Sequence, residues 1–531
     1  MSQTVYFNGD IITMENHLPA EAVLVRDGVI ALVGSKEQVF ACAGPDVKLF
    51  DLQGKALLPG FIDSHSHITA LASSLGLVPL KDATSFEDIQ RRMAQYIRQN
   101  SLTKGQWIMG FGYDHNALQE KAHPDKKLLD GISTKYPVLI AHASGHMGVT
   151  NSLGLRLLGI GEETEDPEGG KIGREAGSKQ PNGYLEETAF TGSTAKIPGP
   201  SPEQMIEQLI KAQEVYLSYG ITTAQDGFTK AKEWQMLSSC AQKGKLLLDV
   251  VSFVDLQGSS QLAKEEHSYW KLYQNHLKIG GYKIFLDGSP QGRTAWMLQP
   301  YVGGEPGYKG YPVHTDAQVK AFIEKALQED AQLLAHCNGD GAAQQYISCW
   351  EQVLEEQRAL DTNRPVMIHA QLVRKEQLHT MAKLHMIASF FTAHTYYWGD
   401  VHIQNFGRER ASQISPAASA IGEGVAYTFH QDTPVIMPNM LETLWCATNR
   451  KTKSGITLGE NQQISVYDAL KGITINGAYQ YFEEDTKGSI KQGKLADFVV
   501  LSHNPLKVPK EQLREIRVEA TIKEGTLVFQ K

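Results

Sequence analysis

The stretch GFIDSHSHI, residues 60–68, is an apolar run that delivers two histidines, His65 and His67, separated by one serine. Two residues apart on an extended strand, their side chains share a face. Taken alone, the pair fits a polar site equally with a core histidine next to a loop histidine. Four more polar residues sit at or near the ends of other apolar runs: Lys283 in GGYKIFLDG, His336 in AQLLAHC, His369 in RPVMIHA, and Asp432 in HQDTPV after GVAYTFH. Side chains at the C-terminal rims of different strands converge if those strands close into one barrel, and converging histidine and carboxylate form a metal site. The five cysteines, Cys42, Cys240, Cys337, Cys349 and Cys446, include no CxxC pair. A metal here would therefore take nitrogen and oxygen ligands.

The elements that must position these residues are eight short apolar runs, at 56–65, 220–226, 246–255, 280–288, 331–337, 364–370, 386–391 and 424–430. Helical patterns such as SPEQMIEQLIKAQEVYLSY lie between most of them, and DAQVKAFIEKALQED is opened by a cap at Thr315. The expected fold class is α/β, a (β/α)8 TIM barrel, with a doubly wound open sheet as the structural alternative. Both chain ends read as short strands and turns, including a hairpin-like Asp27-Gly28. The expected organisation is a composite β-sandwich domain from residues 1–56 and from 456–531, which also holds a C-terminal helix. The barrel spans 57–455. An insertion after barrel strand one, residues 70–215, is too long for a loop and must hold structure of its own; a pocket wall is its functional reading, a decorative extension the plainer one.

The chain has 531 residues, a net charge of −8 and no basic footprint, which argues against nucleic acid as a partner. No run approaches the length of a membrane span and the start, MSQTVYFNGDIITMEN, lacks a leader pattern, so no membrane partner and a cytoplasmic location are expected. No strand is followed by GxGxxG, which excludes a Rossmann-type oxidoreductase. A lysine inside an apolar strand is costly unless paired or chemically altered. Lys283 is therefore a partner for Asp287, a substrate-facing cation, or something modified.

GFIDSHSH resembles the HxH motif of the amidohydrolase superfamily, and GSIKQGKLADFVVLSHNP resembles the signature that closes its β-domain. More narrowly, WIMGFGYDH, GHMGVTNS, DPEGGKIGRE, KIFLDGS with GRTA, HCNGDGAA, HQDTPV and ALKGITINGAY resemble the YtcJ-like amidohydrolases, which include N-substituted formamide deformylases. The resemblance implies that His65, His67, His336 and His369 bind metal. It implies that Lys283 is N-carboxylated to bridge two ions. Asp432 would be both ligand and catalytic group, taking a proton from the attacking water and returning it to the leaving group. Two departures are visible: FHQD, with His430 and Gln431, stands where relatives commonly read GSD, and His142 and Ser144 stand where many carry Arg and Asp.

The expected activity is hydrolysis of a C–N bond in a small molecule: an amide, N-substituted formamide, carbamate or cyclic imide. The ligand types suit zinc best, with iron, manganese or cobalt as alternatives, and one or two ions. Candidate substrate contacts are His146, Asp226, Arg293 and His394, the last followed by Tyr396, Tyr397 and Trp398, with Glu186 a weaker one; for each, capping or packing is the plainer role. The alternative function is a non-catalytic or regulatory metal-binding protein on a hydrolase scaffold. A homodimer is expected from the resemblance alone.

Overall fold

The computed structural model describes residues 2–15, 20–100, 102–357 and 363–531. Strands buried on both faces read as continuous apolar runs, and the eight runs above supply β1 (Phe61–Ile62), β2 (Ile221–Thr229), β3 (Asp249–Asp255), β4 (Leu277–Phe285), β5 (Gln332–Cys337), β6 (Val366–His369), β7 (Ile387–Phe390) and β8 (Ala426–Phe429). They pair in that order as one eight-stranded parallel sheet. Helices Ala231–Gln242, Asp316–Gln328, Asp340–Gln357 and Lys375–Lys383 return the chain after β2, β4, β5 and β6. Thr315 caps the second of these: its hydroxyl accepts from the Gln318 N–H, and the Gln318 side chain accepts from the Thr315 N–H.

Side chains draw β1 and β8 together. Ser64 Oγ donates to the Phe429 carbonyl at 2.8 Å. Gln480 donates to the Ser64 carbonyl at 2.7 Å and accepts from Thr428 Oγ1 at 2.8 Å. The sheet thus curls on itself, consistent with a (β/α)8 barrel, around a core that includes Val251, Phe253, Leu334, Ile368 and Ile387.

The run 56–65 is not one strand. Ala56–Pro59 pairs antiparallel with Phe498–Leu501, and only Phe61–Ile62 pairs with β2. Gly60 makes the crossing, because a Cβ there would meet Thr222 Oγ1 at 2.4 Å. The five-stranded sheet that takes Ala56–Pro59 is built from both ends of the chain, with Asp10–Ile11 on one side and Val518–Lys523 and Thr526–Gln530 on the other. A four-stranded sheet of Gln3–Phe7, Ala22–Arg26, Val29–Gly34 and Lys48–Asp51 contains the hairpin, whose Asp27 and Gly28 have φ of 46° and 82°. These left-handed turn residues suit the strand twist. The two sheets share a core of Tyr6, Val23, Ile30, Leu57, Phe498 and Ile522.

Ala72–Gln208 forms a second compact unit. It has its own six-stranded sheet, from Gly170–Arg174 at one edge to Val78–Pro79 at the other, and its own core around Leu80, Met93, Ile108, Val138 and Ile140. Among the described residues no helix is long and apolar enough to cross a membrane.

Gly60→Ala is expected to destabilise the protein by about 1–3 kcal/mol, the usual cost of overpacking. Urea denaturation reads this directly, and an unmoved midpoint would show that the backbone at the crossing can shift aside.

Candidate metal centre

The segment leaving β1 is held on both sides. Asp63 N–H donates to the Thr223 carbonyl at 2.9 Å and His67 N–H to the Thr433 carbonyl at 2.8 Å. Asp226 is buried, and its carboxylate accepts from the Thr69 backbone N–H (3.1 Å), Thr69 Oγ1 (2.6 Å) and Thr229 Oγ1 (2.6 Å). It fastens the loop after the two histidines rather than facing an open space. With the loop pinned, His65 Nε2 and His67 Nε2 lie 3.5 and 3.3 Å from the same oxygen, Asp432 Oδ1. Ligating atoms of these three residues all fall within 4.8 Å of one another.

Hydrogen bonds behind the rings decide which nitrogen faces the centre. Gln225 donates from its amide nitrogen to the Ser64 carbonyl (2.8 Å) and Tyr481 Oη (3.0 Å), so its oxygen is the atom 2.6 Å from His65 Nδ1. An amide oxygen only accepts, so His65 carries its hydrogen on Nδ1 and presents the Nε2 lone pair. His336 Nε2 lies 3.1 Å from the Gly288 carbonyl and 2.9 Å from the Asn338 amide nitrogen, which itself donates to that carbonyl; a hydrogen donated from Nε2 to Gly288 would leave Nδ1 free to ligate. That Nδ1 is 3.1 Å from His369 Nε2. Burial pushes His336 down to about 4, with the Lys283 charge adding to the effect, and holds His65 and His369 well below the ordinary imidazole range. The rings are neutral, as metal ligands must be.

Lys283 is fully buried, with Nζ 3.4 Å from His65 Nε2. Asp287 is not its partner: that carboxylate accepts backbone N–H groups of Trp296 (3.0 Å), Asn338 (2.9 Å) and Gly339 (2.7 Å). Burial lowers the Lys283 ammonium to about 7, although the Asp432 charge works the other way. Burial would raise Asp432, but the His67 hydrogen bond and the surrounding histidines override it and hold the carboxyl well below its usual range. His369 and Asp432 both have left-handed backbone, φ 74° and 53°. For residues other than glycine this costs about 1–2 kcal/mol and persists only where the surroundings impose it.

The amidohydrolase family profile matches residues 48–529. The chain belongs to the amidohydrolase family. Over the full length of both chains it is 27% identical to YtcJ of Bacillus subtilis, a protein named as an amidohydrolase. It is 26% identical to the N-substituted formamide deformylase of Arthrobacter pascens, over 100% of this chain and 99% of that one. A solved metal-dependent hydrolase of Pyrococcus furiosus shares the fold, with a TM-score of 0.77 at 24% identity over 95% of this chain and 100% of that one.

The remaining sequence candidates of this amidohydrolase are placed differently. His394 is buried at the start of helix His394–Tyr397, with Nδ1 3.1 Å from His402 Nε2, and burial holds it well below the ordinary imidazole range. Trp398 packs on it, whereas Tyr396 packs on Trp445 and Tyr397 reaches Glu442. Arg293 donates to Asn405 Oδ1 at 2.8 Å. His146 belongs to the second unit, where Nδ1 meets Glu187 Oε2 at 3.0 Å; Glu186 lies there too, within strand Pro181–Glu187. Residue-by-residue reading missed Gln225 and Tyr481, which carry no ligand chemistry of their own; AQDG drew notice only to its aspartate.

His336, His402 and His430 are pushed to about 4, 3 and 3 by burial, against 6.5 for a free imidazole. Below pH 6.5 the unfolded chain binds protons that the folded chain refuses. The metal-free protein should therefore lose stability as pH falls from 6.5 towards 4, by about 1.4 kcal/mol per pH unit for each ring. Urea midpoints at pH 7 and pH 5 test this against the opposing effect of Asp63 and Asp287, which burial raises to about 8 and 7; a midpoint no lower at pH 5 would overturn the dominance of the rings.

Proposed function

We propose that this amidohydrolase hydrolyses a C–N bond of a small molecule (an amide, N-substituted formamide, carbamate or cyclic imide) at a centre for one or two divalent cations, with zinc the best fit. The observation that carries this reading is the convergence of His65 Nε2, its lone pair fixed by Gln225 behind the ring, and His67 Nε2 on the Asp432 carboxylate, beside the His336–His369 pair. Neutral imidazoles packed together beside an ionised carboxylate are the donor set that a divalent ion satisfies. His65, His67 and Asp432 would hold one ion, with His336 and His369 as the adjoining set. A bound ion supplies acidification of water and polarisation of a carbonyl.

Lys283, at about 7, has a large uncharged fraction at neutral pH. Its amine adds to carbon dioxide and releases a proton, giving an anionic carbamate that joins the two sets. That also removes the cost of an unpaired buried cation. Asp432 takes a proton from the attacking water as it adds to the carbonyl carbon. It then gives that proton to the nitrogen as the C–N bond breaks. His394 and Trp398 are the side chains read as touching substrate. The full-length likeness to an N-substituted formamide deformylase puts formamides first among substrates to try. The two sheets built from both chain ends are read as one composite β-sandwich that supports the barrel.

Elemental analysis of the purified protein should find one or two equivalents of zinc, iron, manganese or cobalt per chain, reduced in His65→Ala. Asp432→Asn, which removes both an anionic ligand and the proton carrier, should lose about 10²–10⁴ in kcat on a cleaved formamide or amide. A chain that neither contains nor acquires metal would end the hydrolase reading.

A further inference from the structure

His430 is a fully buried ring with a neighbour on each nitrogen: Nε2 is 3.2 Å from His369 Nδ1, and Nδ1 is 2.9 Å from Ser389 Oγ. A neutral His369 has one hydrogen to place. On Nε2 it would point at His336 Nδ1, 3.1 Å away, and close the centre with a hydrogen bond. On Nδ1 it would point at His430, and the lone pairs of His369 Nε2 and His336 Nδ1 would face the same space. His336 Nε2 meets both the Gly288 carbonyl, at 3.1 Å, and the Asn338 amide nitrogen, at 2.9 Å; either His336 tautomer leaves His369 free to place its hydrogen on Nδ1. What lies behind that Nδ1 is His430. With its hydrogen donated to Ser389 Oγ, its Nε2 is an acceptor aimed at His369 Nδ1.

We propose that His430, backed by Ser389, is a positioning residue that keeps the His369 hydrogen on Nδ1 and so turns Nε2 into a metal ligand. The proposal rests on the metal-centre reading above. His430 is not itself a ligand, since both of its nitrogens are engaged. The left-handed backbone at His369 makes an outside anchor necessary, because regular strand geometry does not set that ring's direction. Phe391 packs beside both rings, with centroids 5.4 Å from His430 and 6.3 Å from His369, and keeps them in register. A partner behind a ligating histidine typically contributes tenfold to a hundredfold in metal affinity.

The test compares His430→Leu, which removes the acceptor, with His430→Gln, whose amide oxygen reaches to where Nε2 stands. Zinc affinity is read by chelator competition, and the coordination by the visible spectrum of the cobalt-substituted protein. The leucine variant should bind zinc about 10–100-fold more weakly, with an altered cobalt spectrum. The glutamine variant should stay within about threefold of the wild type, and Ser389→Ala should fall between them. If His430→Leu does not fold, His430→Asn, whose amide stops short of His369, replaces it. Zinc affinity and cobalt spectrum unchanged in the leucine variant would overturn the positioning role alone. Equal losses in the leucine and glutamine variants would make His430 a direct ligand, which also overturns it. A wild type that binds no metal would instead overturn the metal centre, a failure visible before any variant is made.

Discussion

A buried imidazole carries one hydrogen, and the acceptor that takes it from behind decides which lone pair is left facing forward. At this centre an amide oxygen does this for His65, while His336 Nε2 meets both a backbone carbonyl and the Asn338 amide nitrogen. Each acceptor is itself fixed. Gln225 is oriented by Ser64 and Tyr481, and Tyr481 donates in turn to the Asp63 carbonyl at 2.8 Å. Gly288 is held by Asn338, which donates to its carbonyl at 2.7 Å. The curled sheet brings these groups within reach of one another, and its apolar core prevents them from relaxing into water.

Strand β4 carries two buried lysines, and their surroundings separate stability from chemistry. Lys278, near the strand's start, donates to Glu483 and to the Tyr481 carbonyl, the latter at 3.1 Å. Nearby, Asp249 at the start of β3 accepts from Lys487, from Lys523 at 2.8 Å and from His276 at 2.7 Å. This network ties the C-terminal strand Val518–Lys523 to the N-terminal face of the barrel, and every charge in it has an opposite. Lys283, towards the other end of the same strand, is surrounded by histidines, and among the described residues no carboxylate is within ion-pairing distance. A cation left in that state is unstable as a cation, and groups in this state collect at functional sites. The asymmetry matches the division of a barrel into a structural face and a reactive one.

The strands that carry the centre are short and end abruptly. β1 has two residues and β6 has four, with His369 the last of them. A short strand leaves its terminal side chains free of ladder geometry, so the loops and side chains around them must fix direction. The pinning of Thr69 by Asp226 and the Ser64–Phe429 hydrogen bond do this for β1.

Much of this was legible in the linear chain. Apolar runs long enough for strands, with helical periodicity between them, marked the parallel sheet, because burial on both faces leaves no other composition for such strands. His65, His67, Lys283, His336, His369 and Asp432 stood out because polar residues closing or interrupting apolar runs are too costly to be incidental. The sequence did not reveal that 56–65 divides at Gly60 between two sheets, since both halves are equally apolar and the break is a steric contact with Thr222. Asp226 and Arg293 carried both a substrate-contact and a capping reading, because a carboxylate or guanidinium looks the same in a string whether it binds a ligand or a protein partner such as Thr69 or Asn405. Gln225, Tyr481 and His430 were invisible in role for the same reason. Residue type and spacing determine which donors a strand end delivers; only three-dimensional packing decides which atom of each donor is left unpaired, since that depends on partners as far as 418 positions away along the chain.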